Sequence, residues 1–182
     1  MANIGFLTEM IAICGEFGPK KLVLHPSSEP IADAEREQRI LNSIASIGVL
    51  REAACIGAEL CIEDLPRTCL GRNSAELLRI IAPYPDVKIC FDTNHLLSEG
   101  LLHFVEACGD RIATVHVSDY DMIDERHWLP GKGKIDWPAL YRALMKAGYK
   151  GVFMYELKRG EGSFSEMVAI YKRMATDAVK IR

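Results

Sequence analysis

No run of apolar residues in this chain approaches the ~20 needed to span a bilayer. The N-terminus has no basic segment followed by an apolar core, so no secretory signal is expected. An excess of one charge sign is also missing: the formal net charge is -3 and the pI near 6.0. That balance carries no footprint of a nucleic-acid or anionic-membrane binder, so neither is an expected partner. The six cysteines, Cys14, Cys55, Cys61, Cys69, Cys90 and Cys108, never fall at CxxC spacing, and most lie inside apolar patterns. This points to small buried thiols in a reducing cytoplasm rather than to disulfides or a zinc ribbon.

What is present suits one sizeable domain. The chain has 182 residues, 49% hydrophobic and 26% charged, enough for a core of its own. Short apolar runs alternate with helical patterns. Thr8 to Phe17 reads as a helix stopped by Gly18 and Pro19. Lys21–Pro26 reads as a strand that ends on His25, because Pro26 cannot continue the ladder. A long helix is expected from Ala32 to about Ile56, with Ile40, Ile44, Ile47 and Leu50 at three- and four-residue spacing. Strand Glu59–Glu63 follows, then a short helix opened by Asn73 and Glu76 as a capping box and closed before Pro83 and Pro85.

The most telling stretch is Lys88-Ile89-Cys90-Phe91-Asp92-Thr93-Asn94-His95. Its β-favouring Val87, Ile89 and Phe91 stop abruptly at polar residues, as a buried parallel strand does where its C-terminal end opens into a cleft. Taken alone, Asp92 could equally cap the next helix and His95 could be solvated. A helix over Glu99–Ala107 is expected next, then strand Ile112–Val117 with His116 at its end. Tyr120–Lys134, containing Glu125 and His127, is the longest irregular piece, and loops of that length are usually functional. Asp136 caps a helix running to Gly148. A fifth strand, Gly151–Glu156, precedes a last helix opened by a Ser163/Glu166 capping box.

Five alternations of strand and helix argue a parallel α/β architecture. In such folds the C-terminal strand ends share one face, where ligands bind. His25, Glu63, Asp92, His116 and Glu156 would therefore meet as a ring of three carboxylates and two imidazoles. Buried carboxylates repel one another, and a divalent cation at the centre removes that conflict. The alternative is a set of salt-bridged structural polar residues.

Six segments together resemble the xylose-isomerase-like (β/α)8 TIM-barrel superfamily, which includes sugar-phosphate isomerases and epimerases, inosose dehydratases and apurinic-site endonucleases. They are Leu24-His25-Pro26, Ile62-Glu63-Asp64-Leu65-Pro66, Phe91-Asp92-Thr93-Asn94-His95, Val115-His116-Val117-Ser118-Asp119, Leu129–Trp137 and Tyr155-Glu156. The resemblance implies a parallel barrel truncated to about five C-terminal βα units, the family's fourth to eighth strands, within a single domain spanning 1–182. It implies one divalent metal held by Glu63, Asp92, His116 and Glu156, with Mn²⁺ or Mg²⁺ favoured and Zn²⁺ or Co²⁺ as alternatives. His95, His127 and His25 would contact a sugar or polyol substrate. In the endonuclease branch, His25, Glu125 and His127 match positions that hold a second metal. The implied activity is sugar or sugar-phosphate isomerisation or epimerisation through an enediolate, with Glu63 and Glu156 moving the proton. The alternatives are a phosphodiesterase of the apurinic-site endonuclease type and a non-catalytic barrel remnant. A five-stranded arc would leave two unpaired edges, from which homo-oligomerisation is expected.

Overall fold

The computed structural model describes residues 2–28, 30–53 and 57–180. The expected end of the long helix near Ile56, and Cys55, lie outside the described residues. The element order is α1(Ala2–Gly15), β1(Lys21–Leu24), α2(Asp33–Ala53), β2(Glu59–Glu63), α3(Ser74–Ile81), β3(Lys88–Asp92), α4(Leu101–Cys108), β4(Ile112–Val117), α5(Trp137–Lys146), β5(Phe153–Tyr155) and α6(Phe164–Lys180). A single 3₁₀ turn, Gly109–Arg111, joins α4 to β4. All five strands are parallel and lie in sequence order. The result is an open, curled half-barrel with helices on its outer side. Among the described residues β1 and β5 each pair on one side only.

Strand side chains alternate between the two faces, and the burial follows that alternation. Leu60, Ile62, Ile89, Phe91, Val115 and Val117 point outward into one core with Ile40 and Ile47 of α2, Leu77 and Ile80 of α3, Phe104 of α4 and Leu140 of α5. Phe91 stacks on Phe104 at 5.0 Å between ring centroids. Full burial of each such side chain is worth about 1.5–3 kcal/mol. The other parity faces the hollow: His25, just past β1, then Cys61 and Glu63, Cys90 and Asp92, Thr114 and His116, Met154 and Glu156. Neighbouring strands also slip. Glu63 is level with Cys90, and Asp92 is level with His116. Such a stagger is what closing a barrel requires.

Several ends differ from expectation. Helix α1 begins at Ala2 rather than Thr8; Gly5 meets no neighbour that would interrupt it. Strand β5 is limited to Phe153–Tyr155, because it has only β4 to pair with. Asn73 does cap α3, its side chain accepting from the Glu76 N–H at 2.9 Å. The Glu76 carboxylate does not return to Asn73. It accepts instead from Gly71 N–H at 2.7 Å and from both the Nε and Nη2 of Arg36 at 2.7 Å, tying α2 to α3. Asp136 and Ser163/Glu166 cap α5 and α6 as expected. Cys14, Cys61, Cys69, Cys90 and Cys108 are free thiols.

Candidate metal centre

The ends of β2, β3 and β4 and the residue after β5 bring four side chains to one point. Ligand atoms of Glu63, Asp92, His116 and Glu156 all lie within 4.8 Å of one another. His116 Nδ1 stands among the three carboxylates, 2.7 Å from Glu156 Oε2, 3.1 Å from Glu63 Oε1 and 3.9 Å from Asp92 Oδ2. Glu63 and Asp92 are buried, while Glu156, on the edge strand, has 48% of its side chain exposed. His25 reaches in from β1, with Nε2 3.2 Å from Glu63 Oε2.

The electrostatics follow from this crowding. Burial alone would raise the Glu63 carboxyl, but hydrogen bonds from His116 and His25 outweigh it and hold it at about 2. Asp92 has no such donor on Oδ2, and burial lifts it to about 6, against the pull of His95. Burial would lower His116, yet its contacts with Cys90, Glu156 and Glu63 drive it well above the ordinary imidazole value. One N–H cannot satisfy three carboxylates. The buried Asp92 Oδ2 indeed has no hydrogen-bond partner. An orphaned carboxylate oxygen, facing an imidazole nitrogen and two more carboxylates, is the donor set a divalent cation would complete. The four residues fit a metal.

A second group lies beside the first. Ligand atoms of His95, Glu125 and His127 are also within 4.8 Å of each other, and His95 Nε2 is 3.3 Å from Glu125 Oε1. Glu125 and His127 therefore associate with His95, whereas His25 sits on Glu63. His95 Nδ1 meets the Asp64 carbonyl at 2.8 Å. An acceptor there requires Nδ1–H, which turns Nε2 toward Asp92 and Glu125. Burial would lower His95, but Asp92, Glu125 and Asp64 raise it to about 10.

Residues that carried no role in the sequence hold this arrangement. Asp64 Oδ1 accepts the backbone N–H of Asp92 at 2.7 Å. Asn94 Oδ1 accepts the N–H groups of Arg126 and His127, at 3.1 and 3.4 Å, drawing the long loop onto β3. His127 is held at a φ of 50°, a left-handed conformation costly for a non-glycine residue. Arg67, on the β2–α3 loop, pairs with Glu125 across the mouth. Asp119, fully buried, accepts from Tyr120 N, Ile135 N, Gly131 N and Trp137 Nε1 at 2.9, 3.2, 2.7 and 2.9 Å. Cys90, completely buried, has its Sγ in the same 4.8 Å neighbourhood as Glu63 and His116. An acidic residue two positions past β4, followed by a glycine-rich Pro130–Gly133, was a readable sign of a pinned loop. Arg67–Glu125 had none, since its partners are 58 residues apart.

The family model for the xylose isomerase-like TIM barrel matches residues 2–174. The chain belongs to that family. Members it resembles include an uncharacterised protein, y4fM, of Sinorhizobium fredii, 23% identical over 99% of this chain and 60% of that protein. Fructoselysine 3-epimerase of Escherichia coli O157:H7 is 27% identical over 56% of this chain and 39% of its own length. The chain thus spans 60% and 39% of the length of these two relatives. Among solved structures, a D-tagatose 3-epimerase-like protein superposes with a TM-score of 0.86 at 24% identity, covering 98% of this chain and 70% of that one. A 3-keto-D-glucoside 4-epimerase from E. coli gives 0.75 at 21%, over 95% and 70%. These two overlays establish the fold. No helix among the described residues is long and apolar enough to cross a membrane.

Proposed function

We propose that this chain carries the metal and proton-transfer half of a sugar or sugar-phosphate isomerase or epimerase. The carrying observation is that Glu63 and Glu156, from strands three apart in the sheet, both contact Nδ1 of one histidine, at 3.1 and 2.7 Å. In this reading the two carboxylates would stand on opposite faces of a small bound polyol. One removes the proton beside the carbonyl, and the other returns a proton to the neighbouring carbon or the opposite face, the substrate passing through an enediolate. Relatives named as sugar epimerases support the substrate class.

Glu63, Asp92, His116 and Glu156 would hold the cation, and the oxygen-rich set favours Mn²⁺ or Mg²⁺. When bound, the ion polarises the substrate carbonyl and offsets the charge that builds on its oxygen. Glu63, kept ionised by its histidines, is the side chain ready to act as base. His95, fixed by the Asp64 carbonyl, holds a substrate oxygen, with His127 and His25 at the rim. Glu156, the most exposed of the four, is best placed to meet substrate entering from solvent.

The test is a panel of ketoses and inososes with Mn²⁺, read by C–H exchange with deuterated solvent, using the chain together with any partner it assembles with. Glu156→Gln should abolish conversion of substrate to product while sugar binding persists, because an amide keeps the shape but cannot hand a proton back to the carbon. Undiminished conversion would remove Glu156 from the reaction. The His95–Glu125–His127 cluster favours a second reading, a phosphodiesterase using more than one ion. Metal stoichiometry separates the two: one ion per chain supports the isomerase, and two or three support the phosphodiesterase.

A further inference from the structure

Cys90 stands one inward-facing position below Asp92 on β3. The slip between strands makes Glu63 level with Cys90, not with Asp92. The Glu63 carboxylate therefore meets donors that differ in softness. One level up are Asp92 and Glu156, all oxygen. Level with Glu63 is a thiol. His116 faces both levels: its ring joins the upper four-residue set, and with Glu63 and Cys90 it forms a separate group whose ligand atoms are within 4.8 Å of one another.

We propose that Glu63, Cys90 and His116 form a second, lower cation site that takes thiophilic divalent ions such as Zn²⁺ or Cd²⁺ and excludes the oxygen-preferring ion above. The donor chemistry sorts the two. Thiolate, imidazole and one carboxylate make a three-ligand set of the kind that zinc occupies tetrahedrally, leaving a fourth position for water. Mn²⁺ and Mg²⁺ gain little from sulfur and keep to the oxygen-rich level. Both sets need His116, whose neutral ring has one nitrogen free to bind a cation, so one chain cannot fill both at once. Binding below releases the Cys90 thiol proton to solvent. It also commits Glu63 to the lower ion. On the proposed function, and only there, the consequence is inhibition: thiophilic metals would be blockers rather than cofactors.

The test reads the thiolate, not turnover. Metal-free protein is titrated with Cd²⁺ while the ultraviolet sulfur-to-cadmium charge-transfer band is recorded. Wild type should develop the band to about one equivalent. Cys90→Ser should lose it, His116→Ala should weaken Cd²⁺ binding more than about tenfold, and Asp92→Ala should keep the band. Bound Mn²⁺, followed by its electron paramagnetic resonance, should be expelled mole for mole as the band grows. A band that survives Cys90→Ser, or one that vanishes in Asp92→Ala, overturns the lower site. So does full occupancy by Mn²⁺ and Cd²⁺ together. If Cys90→Ser does not fold, Cys90→Ala is scored by the same criteria. The band is read without Mn²⁺, so a wild type that binds no Mn²⁺ counts against the proposed function alone.

Discussion

Replacing Asp119 by Asn changes one atom and should disturb the protein far more than that suggests. The Asp119 carboxylate is fully buried and accepts four N–H groups, two on each oxygen. An amide has one oxygen. Whichever way it turns, two of the four donors face an NH₂ group instead of an acceptor. Leaving a buried donor unsatisfied costs about 1–3 kcal/mol, so the pair gives about 2–6 kcal/mol. That is a large share of the roughly 5–15 kcal/mol that holds a domain together. The donors span Tyr120 to Trp137, so the damage should concentrate in the loop that brings Glu125 and His127 to the site. Urea denaturation measures the first effect, and limited proteolysis between residues 120 and 134 the second. A loss below about 1 kcal/mol with no new cleavage would refute the view that this carboxylate pins the loop.

Three further expectations follow from the geometry. Gly133→Ala should destabilise comparably, because a Cβ there would lie 2.2 Å from both Asp119 Oδ1 and the Tyr120 carbonyl; thermal melts of the variant decide it. In the metal-free protein, stability should fall at both ends of the pH range. Glu63, held at about 2 from an ordinary 4.5, contributes fully above 4.5 and loses that contribution as pH drops through 2. His95, raised from 6.5 to about 10, contributes fully below 6.5 and loses it as pH climbs through 10; denaturant midpoints that are flat across this range would contradict the assignment. Finally, the free edges of β1 and β5, with Met154 and Val152 exposed beside the latter, should drive self-association. Sedimentation at micromolar concentration should show more than a monomer, and a cooperatively unfolding monomer would mean the edges are covered from within the chain.

The strands were legible because each is an apolar run that stops on a charge, and the four residues that converge were legible for the same reason. Glu63, Asp92 and His116 sit at strand ends where alternation and parallel order leave them no other place to go. The rest needed three dimensions. Nothing local says that Glu63 is level with Cys90, since that depends on the slip between two strands. The Glu76 carboxylate serves Arg36 rather than Asn73 because α2 packs against α3, a tertiary contact that overrides a local box. Helix α1 extends upstream of Thr8 to Ala2, with the single glycine at position 5 accommodated inside it. Asn94 and Asp64 had no role of their own in the sequence, and only their hydrogen bonds reveal them as the struts of the site.

The alternation of faces along β3 also makes the centre brittle to one class of genetic change. Phe91 feeds the core and Asp92 feeds the hollow only because they are adjacent on a strand of fixed phase. Loss of a single codon between Lys88 and Phe91 would reverse that phase downstream of the gap, pressing the carboxylate into the hydrocarbon of α4 and pushing an aromatic ring among the charges. A substitution at either position perturbs the core or the chemistry, but a one-residue deletion perturbs both together. Lineages of this chain should therefore keep the spacing within each strand invariant.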